Sequence, residues 1–346
     1  MKILHIIFSM QTGGSETMLI DIMNEQIKTE SSVGLIVIND DYNEKLLQKL
    51  DKRIKIKLIE RRKGMNTFLS IIKLNLYLFK LKPDVVHMHD TNVIAALIYK
   101  KFKKILTIHD VDIDCKYFKR YNTLCAISQA VKDDVYKRSG LNAIIIYNGI
   151  HFNNIKTKKQ YNTDKHYRIL QIGRLVHLKK GQDILIEAFK IIVEKYPLKN
   201  ITLNFIGEGS SYAYLNELVL KYKLNDRINF LGLKNRDYIY EHLNEYNLLV
   251  QPSLFEGFGL TVVEGIAAKI PVLVSDNDGP IEIIKHGEYG FYFKKGNYID
   301  CANAISSILL LDEKAITDLT DKGYDYAIQN FDITRTAREY LNLYKK

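Results

Sequence analysis

The sequence predicts an α/β protein of two doubly wound domains that face a central cleft. Three observations lead to this prediction. Apolar runs of strand length alternate with amphipathic segments of helix length along the chain, and such repeats form parallel sheets covered by helices on both faces. With 346 residues, the chain is long for a single hydrophobic core. A polar stretch from His151 to His166, rich in Lys and Asn, separates the two halves as a linker.

The predicted elements follow in chain order. Apolar runs in the first half are Ile3–Phe8, Val33–Ile38, Ile54–Ile59, Val85–Met88, Ile105–Ile108, Leu124–Ile127 and Ile144–Ile146, and helical segments are Glu16–Lys28, Thr67–Leu81 and Gln129–Arg138. Runs in the second half are Arg168–Ile172, Ile201–Ile206, Ile228–Leu231, Leu248–Val250 and Val272–Val274, and helical segments are Asp183–Lys195, Tyr212–Tyr222, Arg236–Asn244, Leu260–Ala268 and Asp312 to Lys346. We therefore predict two Rossmann-like domains, residues 1–162 and 163–346, with the last helix a candidate to pack back on the first.

The composition favours a reducing compartment. Hydrophobic residues make up 47% of the chain and charged residues 26%, as in soluble globular proteins. Cys115, Cys125 and Cys301 lack CxxC spacing, which argues against a thiolate metal site. The apolar N-terminus is interpreted as a first strand rather than a signal peptide, and no apolar stretch reaches the roughly 20 residues of a spanning helix. We expect a cytoplasmic protein.

Basic charge is concentrated in the first half. Residues 1–162 contain 27 Lys and Arg against 16 Asp and Glu, a net +11, whereas residues 163–346 contain 23 against 24, a net −1. The excess includes the runs Lys52 to Lys63 and Lys100 to Lys104. This basic excess is typical of a solvated surface, or of a surface that binds an anionic membrane or nucleic acid. Because the chain shows no RNA-recognition or zinc-finger motif, nucleic acid is not expected as a partner.

A glycine-containing turn follows the first predicted strand of each half. Gly13-Gly14 precedes the first helix, where backbone N–H groups can meet an anion, although such a pair also has purely structural uses. In the second half, Gly173 is followed by Arg174, and Lys180 comes six residues later. Arg174 and Lys180 could converge on one anionic ligand, the alternative being two ordinary surface cations.

The segment from Glu256 to Glu264 is the least generic part of the chain. Gly257 and Gly259 keep a loop thin, so that a ligand can approach the backbone. Leu260 begins a predicted helix, and Glu264 is expected in about its first turn. A carboxylate there can accept two hydrogen bonds from a vicinal diol such as that of ribose. Glu256 in the loop could meet a second sugar. Alternatively, both carboxylates are simply favoured by the helix dipole.

Histidines end two predicted strands of the first half. His87 and His89 close one strand and His109 the next, so these side chains should point toward the cleft. A metal pair at His87 and His89 lacks a convincing third ligand in the sequence, and a neutral histidine bonded to a substrate hydroxyl is favoured. Two acidic pairs, Asp112/Asp114 and Asp276/Asp278, have i, i+2 spacing. Because such pairs arise readily by chance, we do not interpret them as metal sites.

In this order the motifs resemble those of the retaining GT-B glycosyltransferases of family 4, over nearly the whole chain. The resemblance rests on Gly13-Gly14-Ser15-Glu16, Asp84-Val85-Val86-His87-Met88-His89-Asp90, Asn148-Gly149-Ile150, Gly173-Arg174-Leu175 with Lys180-Gly181, Gly207-Glu208-Gly209, and Glu256 to Glu264, which matches the E-x7-E signature. Two positions depart from the family pattern. His151 stands where the family has an acid, at the hinge, and Asp278-Gly279-Pro280-Ile281-Glu282 replaces Gly-Gly-x-Pro-Glu, which bears on donor or acceptor preference.

The resemblance implies a role for each site residue. Glu264 would hold the ribose, Glu256 the transferred sugar, and His89 would contact that sugar near the reacting centre. The residues that would hold the donor diphosphate are Arg174 and Lys180, with backbone N–H groups near Gly14, Phe258, Gly259 and Leu260.

The implied activity is retaining transfer of a sugar from a nucleotide-diphosphate sugar, with a UDP-sugar favoured. The acceptor would be a glycan or polyprenyl-linked glycan in capsule, lipopolysaccharide or exopolysaccharide synthesis. Cations and a helix N-terminus would stabilise the leaving diphosphate, so no metal and no cofactor are expected. The basic first half, the acceptor side in this family, suits peripheral attachment to an anionic inner membrane surface. A nucleotide-sugar epimerase of GT-B architecture and a non-catalytic basic tethering module are the alternatives.

Overall fold

The computed structural model divides the chain into two compact units, residues 1–150 with 331–346, and residues 151–330. It describes all residues except 12, 31, 63–67, 100, 162–165 and 197–199, and the side chain of residue 278. The predicted domain boundary between 162 and 163 lies outside the described residues. The same holds for Thr67, at the start of a predicted helix, and for Lys63 and Lys100 in the two basic runs.

The described part of the predicted linker, residues 151–161, belongs to the second unit. The Lys156 N–H donates to the carbonyl of Tyr240 at 3.1 Å, and the Lys158 N–H donates to that of Ala268 at 2.8 Å. The Tyr161 hydroxyl donates to the carbonyl of Lys269 at 2.8 Å. The acceptors of these bonds are backbone carbonyls, which every residue type has. The polar composition of the segment therefore could not predict them.

The first unit is a parallel sheet flanked by helices. Its strands are β1 Lys2–Ile7, β2 Ser32–Asn39, β3 Lys55–Arg61, β4 Val85–Met88, β5 Lys103–Ile108, β6 Thr123–Ala126 and β7 Ile144–Ile145. Its helices are α1 Gly14–Gln26, α2 Glu44–Leu47, α3 Phe68–Leu81, α4 Gln129–Ser139 and, from the end of the chain, α13 Ile333–Lys345. Among the described residues the strand order is β3-β2-β1-β4-β5-β6-β7.

The last helix contributes to the core of the first unit. Tyr340 and Tyr344 of α13 are buried in the same apolar cluster as β1, β2 and α1. The helical stretch near the C-terminus is interrupted at Asp332, whose carboxylate caps α13 by accepting from the N–H of Thr334 at 2.9 Å. The Asn-Gly-Ile motif meets this helix, because a Cβ on Gly149 would lie 2.8 Å from the Cα of Ile333.

The second unit repeats the architecture. Its strands are β8 His166–Ile172, β9 Asn200–Ile206, β10 Ile228–Phe230, β11 Leu248–Gln251, β12 Val272–Ser275 and β13 Phe291–Phe293. Its helices are α5 His177–Lys180, α6 Gln182–Lys195, α7 Tyr212–Lys221, α8 Arg236–His242, α9 Leu260–Ala267, α10 Asp278–Ile283, α11 Tyr298–Ile308 and α12 Glu313–Phe331. The described strands are parallel, in the order β10-β9-β8-β11-β12-β13.

The predicted α/β class with two doubly wound parallel sheets is confirmed. Strand β13 and the helices α2, α5, α10 and α11 were not predicted. Pro280 lies in the first turn of α10. N–H groups in the first turn make no hydrogen bond within the helix, so a proline there removes none and is tolerated. Across the described residues, each helix is too short or too polar to cross a membrane.

Candidate functional site

In each unit the strand order reverses beside the first strand. In the second unit, β9 and β10 lie on one side of β8, and β11, β12 and β13 on the other. Ligands of open parallel sheets bind outside the carboxyl ends of the strands at such a reversal. The loops that follow β8 and β11 contain Arg174 and Glu256. The second unit therefore brings these two predicted site residues to its strand-order reversal.

The Glu256 carboxylate is held by three donors. Lys180 forms an ion pair with its Oε2 atom, and the two side chains are 18% and 17% exposed. The amide of Gln251 donates to the same oxygen at 3.0 Å and the hydroxyl of Ser253 at 3.4 Å. An ammonium group has three N–H donors, so its bond to Glu256 leaves two for a ligand. Lys180 and Glu256 thus form one preorganised unit rather than two separate surface charges.

Arg174 is exposed at the carboxyl end of β8. Its backbone carbonyl accepts hydrogen bonds from the N–H of Val176 at 2.8 Å and from the amide of Gln182 at 3.0 Å, which fixes the loop. Within the described parts of the chain, no carboxylate pairs with its guanidinium. A fixed backbone that carries an unpaired, planar five-donor group is suited to an anionic ligand.

A glycine allows the Lys180 loop to touch the Glu256 loop. Gly181 follows α5 with φ +63°, a left-handed conformation that glycine adopts without strain. A Cβ at this position would lie 2.0 Å from the carbonyl oxygen of Pro252. The Lys179 carbonyl also accepts from the N–H of Leu254 at 2.9 Å. This close approach accounts for the Lys-Gly spacing seen in the sequence.

Helix α9 begins at this loop. The buried Phe258 precedes Gly259, the N-cap, which supplies no side-chain capping bond. The Gly259 carbonyl accepts from the N–H of Val262 at 2.9 Å, so the N–H groups of Leu260 and Thr261 precede the helical bonding pattern. A helix start of this kind favours anions.

Glu264 is the fifth residue of α9 and 8% exposed. It was expected in about the first turn, but the first turn contains no acidic residue. The dipole of a helix acts mainly on its terminal turn, and Glu264 lies beyond the first turn of α9. The roles assigned to Glu264 and Glu256 stay predictions.

Gly279 of α10 packs on the backbone of the site loop. A Cβ there would lie 2.6 Å from the carbonyl oxygen of Glu256 and 2.7 Å from the nitrogen of Phe258. We expect Gly279→Ala to displace this loop, to destabilise the fold by about 1–3 kcal/mol as overpacking does, and to weaken nucleotide binding. Denaturant unfolding and nucleotide titration would measure the two effects.

The matched control is Gly323→Ala in α12. There the nearest heavy atoms to an added Cβ are at ordinary contact distance, 3.5 Å. Since alanine favours helix over glycine, the control should be neutral or more stable by up to about 1 kcal/mol. Equal effects at both positions would show that loop contact at Gly279 is unimportant.

In the first unit the reversal lies between β1 and β4. The Asp90 carboxylate joins the two strand ends by accepting from the Phe8 N–H at 2.7 Å. Burial raises the pKa of Asp90, the Phe8 N–H lowers it, and the nearby Glu16 raises it again. Helix α1 begins at the exposed Gly14, and its N-cap Gly13 has extended backbone. Gly14 therefore lies at the predicted edge of the sheet.

His89 lies at the end of β4, as predicted, but both of its ring nitrogens are occupied. Its Nε2 is 3.1 Å from Nδ1 of His5, and its Nδ1 is 3.1 Å from Nε2 of His109. His87 is likewise bonded on both sides, to the hydroxyls of Tyr344 and Thr107. The sugar contact expected of His89 stays a prediction, and it has no ring nitrogen left in this arrangement.

A third histidine joins His87 and His89, although the sequence offered no convincing third ligand. His5 of β1 is in register with His87 of β4, and nitrogens of His5, His87 and His89 lie within 4.8 Å of one another. A metal ion at this point would have to displace hydrogen bonds that already use these nitrogens. The cluster is better explained as a hydrogen-bonded network. The signal that could have found His5 is its position inside an otherwise apolar buried strand.

The sequence analysis did not predict Gln251 and Ser253, whose side chains donate hydrogen bonds to the Glu256 carboxylate.

A cavity of about 580 Å³ in the second unit is lined by Lys158, Arg168 and Asn244, near the amino end of β8. It contains none of the predicted site residues. We regard the carboxyl end of the sheet as the functional one, because the loops and charged groups described above converge there.

The chain matches known proteins over both units. Residues 153–326 match the family model described as Glycosyl transferases group 1, and residues 12–153 match Glycosyltransferase Family 4. The chain is 30% identical over 263 residues to an uncharacterised glycosyltransferase of Methanocaldococcus jannaschii, a match covering 70% of each protein. It is 27% identical over 283 residues to the capsular polysaccharide biosynthesis glycosyltransferase CapM of Staphylococcus aureus, covering 69% of this chain and 71% of the relative.

Solved structures share the fold. HepE of Anabaena, in complex with UDP and glucose, superimposes with a TM-score of 0.82 over 100% of both chains at 21% sequence identity. The predicted GT-B fold is thereby confirmed. The two family models together span both units. The chain therefore belongs to the group 1 glycosyltransferases of the family 4 type, and it is a transferase with relatives in capsule biosynthesis.

Proposed function

We propose that the protein transfers a sugar, with retention, from a nucleotide-diphosphate sugar to a glycan or lipid-linked glycan acceptor. The observation that carries this proposal is the convergence of Arg174, the Lys180–Glu256 pair and the start of α9 at the strand-order reversal of the second unit. UDP is the favoured nucleotide, and the HepE structure with UDP and glucose supports that choice.

The charges of this cluster suit departure of a diphosphate. Negative charge on the leaving group grows as the glycosidic bond breaks, and fixed donors aimed at that charge lower the barrier. Arg174, Lys180 and the N–H groups of Leu260 and Thr261 would supply those donors. Retention follows if the acceptor attacks from the face that the diphosphate leaves, with a phosphate oxygen taking the acceptor's proton. No side-chain nucleophile is then needed.

A thermal-shift screen of nucleotide sugars tests the proposal, because a bound donor stabilises the native state by mass action. A transferase should be stabilised by one sugar class and should need an acceptor for turnover. An epimerase would convert the donor without an acceptor, and a tethering module would respond to no nucleotide sugar. Proton NMR of the product's anomeric centre would then test retention.

We further propose that the acceptor is membrane-associated and that α3 contacts the membrane. This helix exposes large apolar side chains, namely Phe68, Leu69, Leu76 and Phe79, by 73%, 71%, 55% and 56%. Lys73 and Lys80 are exposed on the same helix. Apolar side chains mixed with lysines fit the headgroup region of an anionic bilayer. By sequence count the first unit has 28 Lys and Arg against 18 Asp and Glu, so it carries the whole net charge of +10.

Vesicle flotation tests this membrane contact. We expect the protein to float with vesicles that contain phosphatidylglycerol, less so at high salt, and not with phosphatidylcholine alone. Leu69→Ser should weaken binding about 10- to 100-fold, the loss expected for one buried leucine. Leu310→Ser is a matched control, since Leu310 is also 71% exposed but lies in the second unit. Failure of the wild type to float with anionic vesicles at low salt would contradict the proposal.

A further inference from the structure

Three protein donors converge on a single oxygen of the Glu256 carboxylate. Lys180, the amide of Gln251 at 3.0 Å and the hydroxyl of Ser253 at 3.4 Å all contact Oε2. Within the part of the chain that the structure describes, the other oxygen, Oε1, has no hydrogen-bond partner. The carboxylate therefore has one oxygen held by the protein and one that can accept from a ligand.

The direction of the Gln251 amide is fixed by Thr261. The Thr261 hydroxyl donates to the amide oxygen at 3.2 Å. The amide nitrogen donates to Glu256 and, at 2.9 Å, to the hydroxyl of Ser253. An amide oxygen only accepts and an amide nitrogen only donates. If the amide flipped, its oxygen would face the Glu256 carboxylate, and two acceptors would then oppose each other.

This network lies in the interior of the second unit. Gln251 is the last residue of β11 and is 2% exposed, and Ser253 is fully buried. The Ser253 carbonyl accepts a hydrogen bond from the hydroxyl of Ser275 at 2.6 Å. Hydrogen bonds away from water are electrostatically stronger than those at the surface, and the loss of one partner costs more. The Gln251 amide is thus held firmly at both ends.

Thr261 connects the network to the start of α9. It is the second residue of that helix, and its N–H is one of the groups assigned above to the leaving diphosphate. Its hydroxyl bonds to Gln251 instead. Through Gln251, the helix start that would hold the diphosphate is joined to the carboxylate that would hold the transferred sugar. The bond that breaks in the reaction lies between these two parts of the donor.

We propose that Gln251 and Thr261 are positioning residues for Glu256. Thr261 fixes the direction of the Gln251 amide, and the amide holds Oε2 so that Oε1 accepts a hydrogen bond from a hydroxyl of the transferred sugar. The sugar contact of Glu256 rests on the proposed function. The side chains of Gln251 and Thr261 do not touch the sugar but act through Glu256. They should therefore affect the rate of transfer and leave nucleotide affinity nearly unchanged.

Replacing Gln251 with leucine tests the first step. Leucine has no polar atom, so Glu256 loses one donor and its carboxylate can turn. We expect kcat to fall about 10- to 100-fold, as when a hydrogen bond to a charged group is lost, and the Kd for UDP to change less than about twofold. Steady-state kinetics and calorimetric titration measure the two quantities. A kcat equal to that of the wild type, or equal losses in kcat and in UDP affinity, would overturn the proposal.

Gln251→Glu should give a pH profile that a purely structural role would not produce. The introduced carboxyl faces Glu256, and two carboxylates this close share a proton, so one of them has a raised pKa. When protonated, the introduced group donates to Glu256 and accepts from Thr261, as the amide does. Activity relative to the wild type should rise about 3- to 30-fold as the pH falls from about 8.5 to 6.5. A relative activity that is independent of pH would contradict the hydrogen-bonding role.

Two substitutions of Thr261 test the second step. Thr261→Val keeps the shape and removes the hydroxyl, so kcat should fall about 3- to 10-fold, whereas Thr261→Ser keeps the hydroxyl and should stay within about twofold of the wild type. The matched control is Thr317→Val, since the Thr317 hydroxyl donates to the carbonyl of Glu313 in its own helix, α12, and kcat should not change.

A double substitution tests whether Thr261 acts through Gln251. If it does, Thr261→Val should cause no further loss of kcat in the Gln251→Leu protein. The same loss in both backgrounds would overturn the linkage. Should Gln251→Leu not fold, the Thr261 variants and the pH profile of Gln251→Glu still decide.

These results also separate the positioning role from the proposed function. If sugar is transferred but the Gln251 and Thr261 variants keep the kcat of the wild type, the positioning role fails and the proposed function stands. If no nucleotide sugar binds or reacts, the proposed function fails, and the positioning role fails with it.

Discussion

Replacing Lys180 with methionine is expected to lower kcat/KM for sugar transfer about 30- to 1000-fold, or 2–4 kcal/mol. Lys180 is anchored by Glu256 at the strand-order reversal and is only 18% exposed. Its two remaining N–H donors are available to the departing diphosphate. Methionine keeps the length of the stem and removes the charge, so the loss should appear mainly in kcat. Steady-state kinetics with the donor found by the screen would measure it.

Lys179→Met is the matched control for this substitution. Lys179 is the neighbouring residue, and it contacts the Glu256 loop through its backbone carbonyl, which the substitution preserves. We expect less than a threefold change. Losses below tenfold in Lys180→Met, or equal losses in the two variants, would contradict the role of Lys180. Combining Lys180→Met with Glu256→Gln should cost less than the sum of the two changes, because the residues act as a pair.

Acid is expected to destabilise the first unit through its buried histidines. Burial lowers the pKa of His5 to about 4, from its ordinary value of 6.5. Between these two pH values the unfolded chain binds a proton that the native state does not bind. The free energy of unfolding therefore falls as the pH drops from about 6.5 to 4, by about 3 kcal/mol for His5 alone. His87 and His89, whose pKa values burial also lowers, should add to this loss.

A single introduced tryptophan would report the unfolding of the first unit separately from that of the second. The chain contains no tryptophan, and Tyr42 packs partly buried against the core of the first unit. Urea unfolding of Tyr42→Trp, repeated from pH 7 to pH 4, gives the slope of stability against pH. His5→Gln should flatten that slope, and substitution of an exposed histidine, His286→Asn, should not. An unchanged slope in His5→Gln would show that His5 is not the group that titrates.

Much of the fold could be predicted from the sequence because several strands, such as β1, β4 and β11, are almost fully buried and consist mainly of apolar residues. Strand β4, for example, has no exposed residue, so its apolar run stands out between polar segments. Strand β13 was missed because it is three residues long and its central Tyr292 is exposed. Helix α10 was missed because Gly279 and Pro280 suggest a loop, yet Pro280 lies in the tolerant first turn.

The site was predictable where residues adjacent in sequence act together. Glu256, Gly259 and Leu260 all follow the same predicted strand within a few residues of one another, so the sequence alone predicted that they lie in one loop and helix start. The contacts of Lys180 with Glu256 and of His5 with His89 join residues 76 and 84 positions apart, and only the packed sheet brings them together. Nothing in the sequence singled out Gln26, because an amide in a helix is ordinary until its partners, the ring of His5 and the hydroxyl of Tyr344, are known.

The central claim is that the strand-order reversal of the second unit binds the nucleotide of a sugar donor, with Glu264 on the ribose. Calorimetric titration of UDP and of 2′-deoxy-UDP into the wild type and Glu264→Gln tests it most directly. If the carboxylate accepts both ribose hydroxyls, Glu264→Gln should weaken UDP about 10- to 100-fold and 2′-deoxy-UDP clearly less. Equal losses for both ligands, or UDP binding unaffected by the substitution, would contradict the claim.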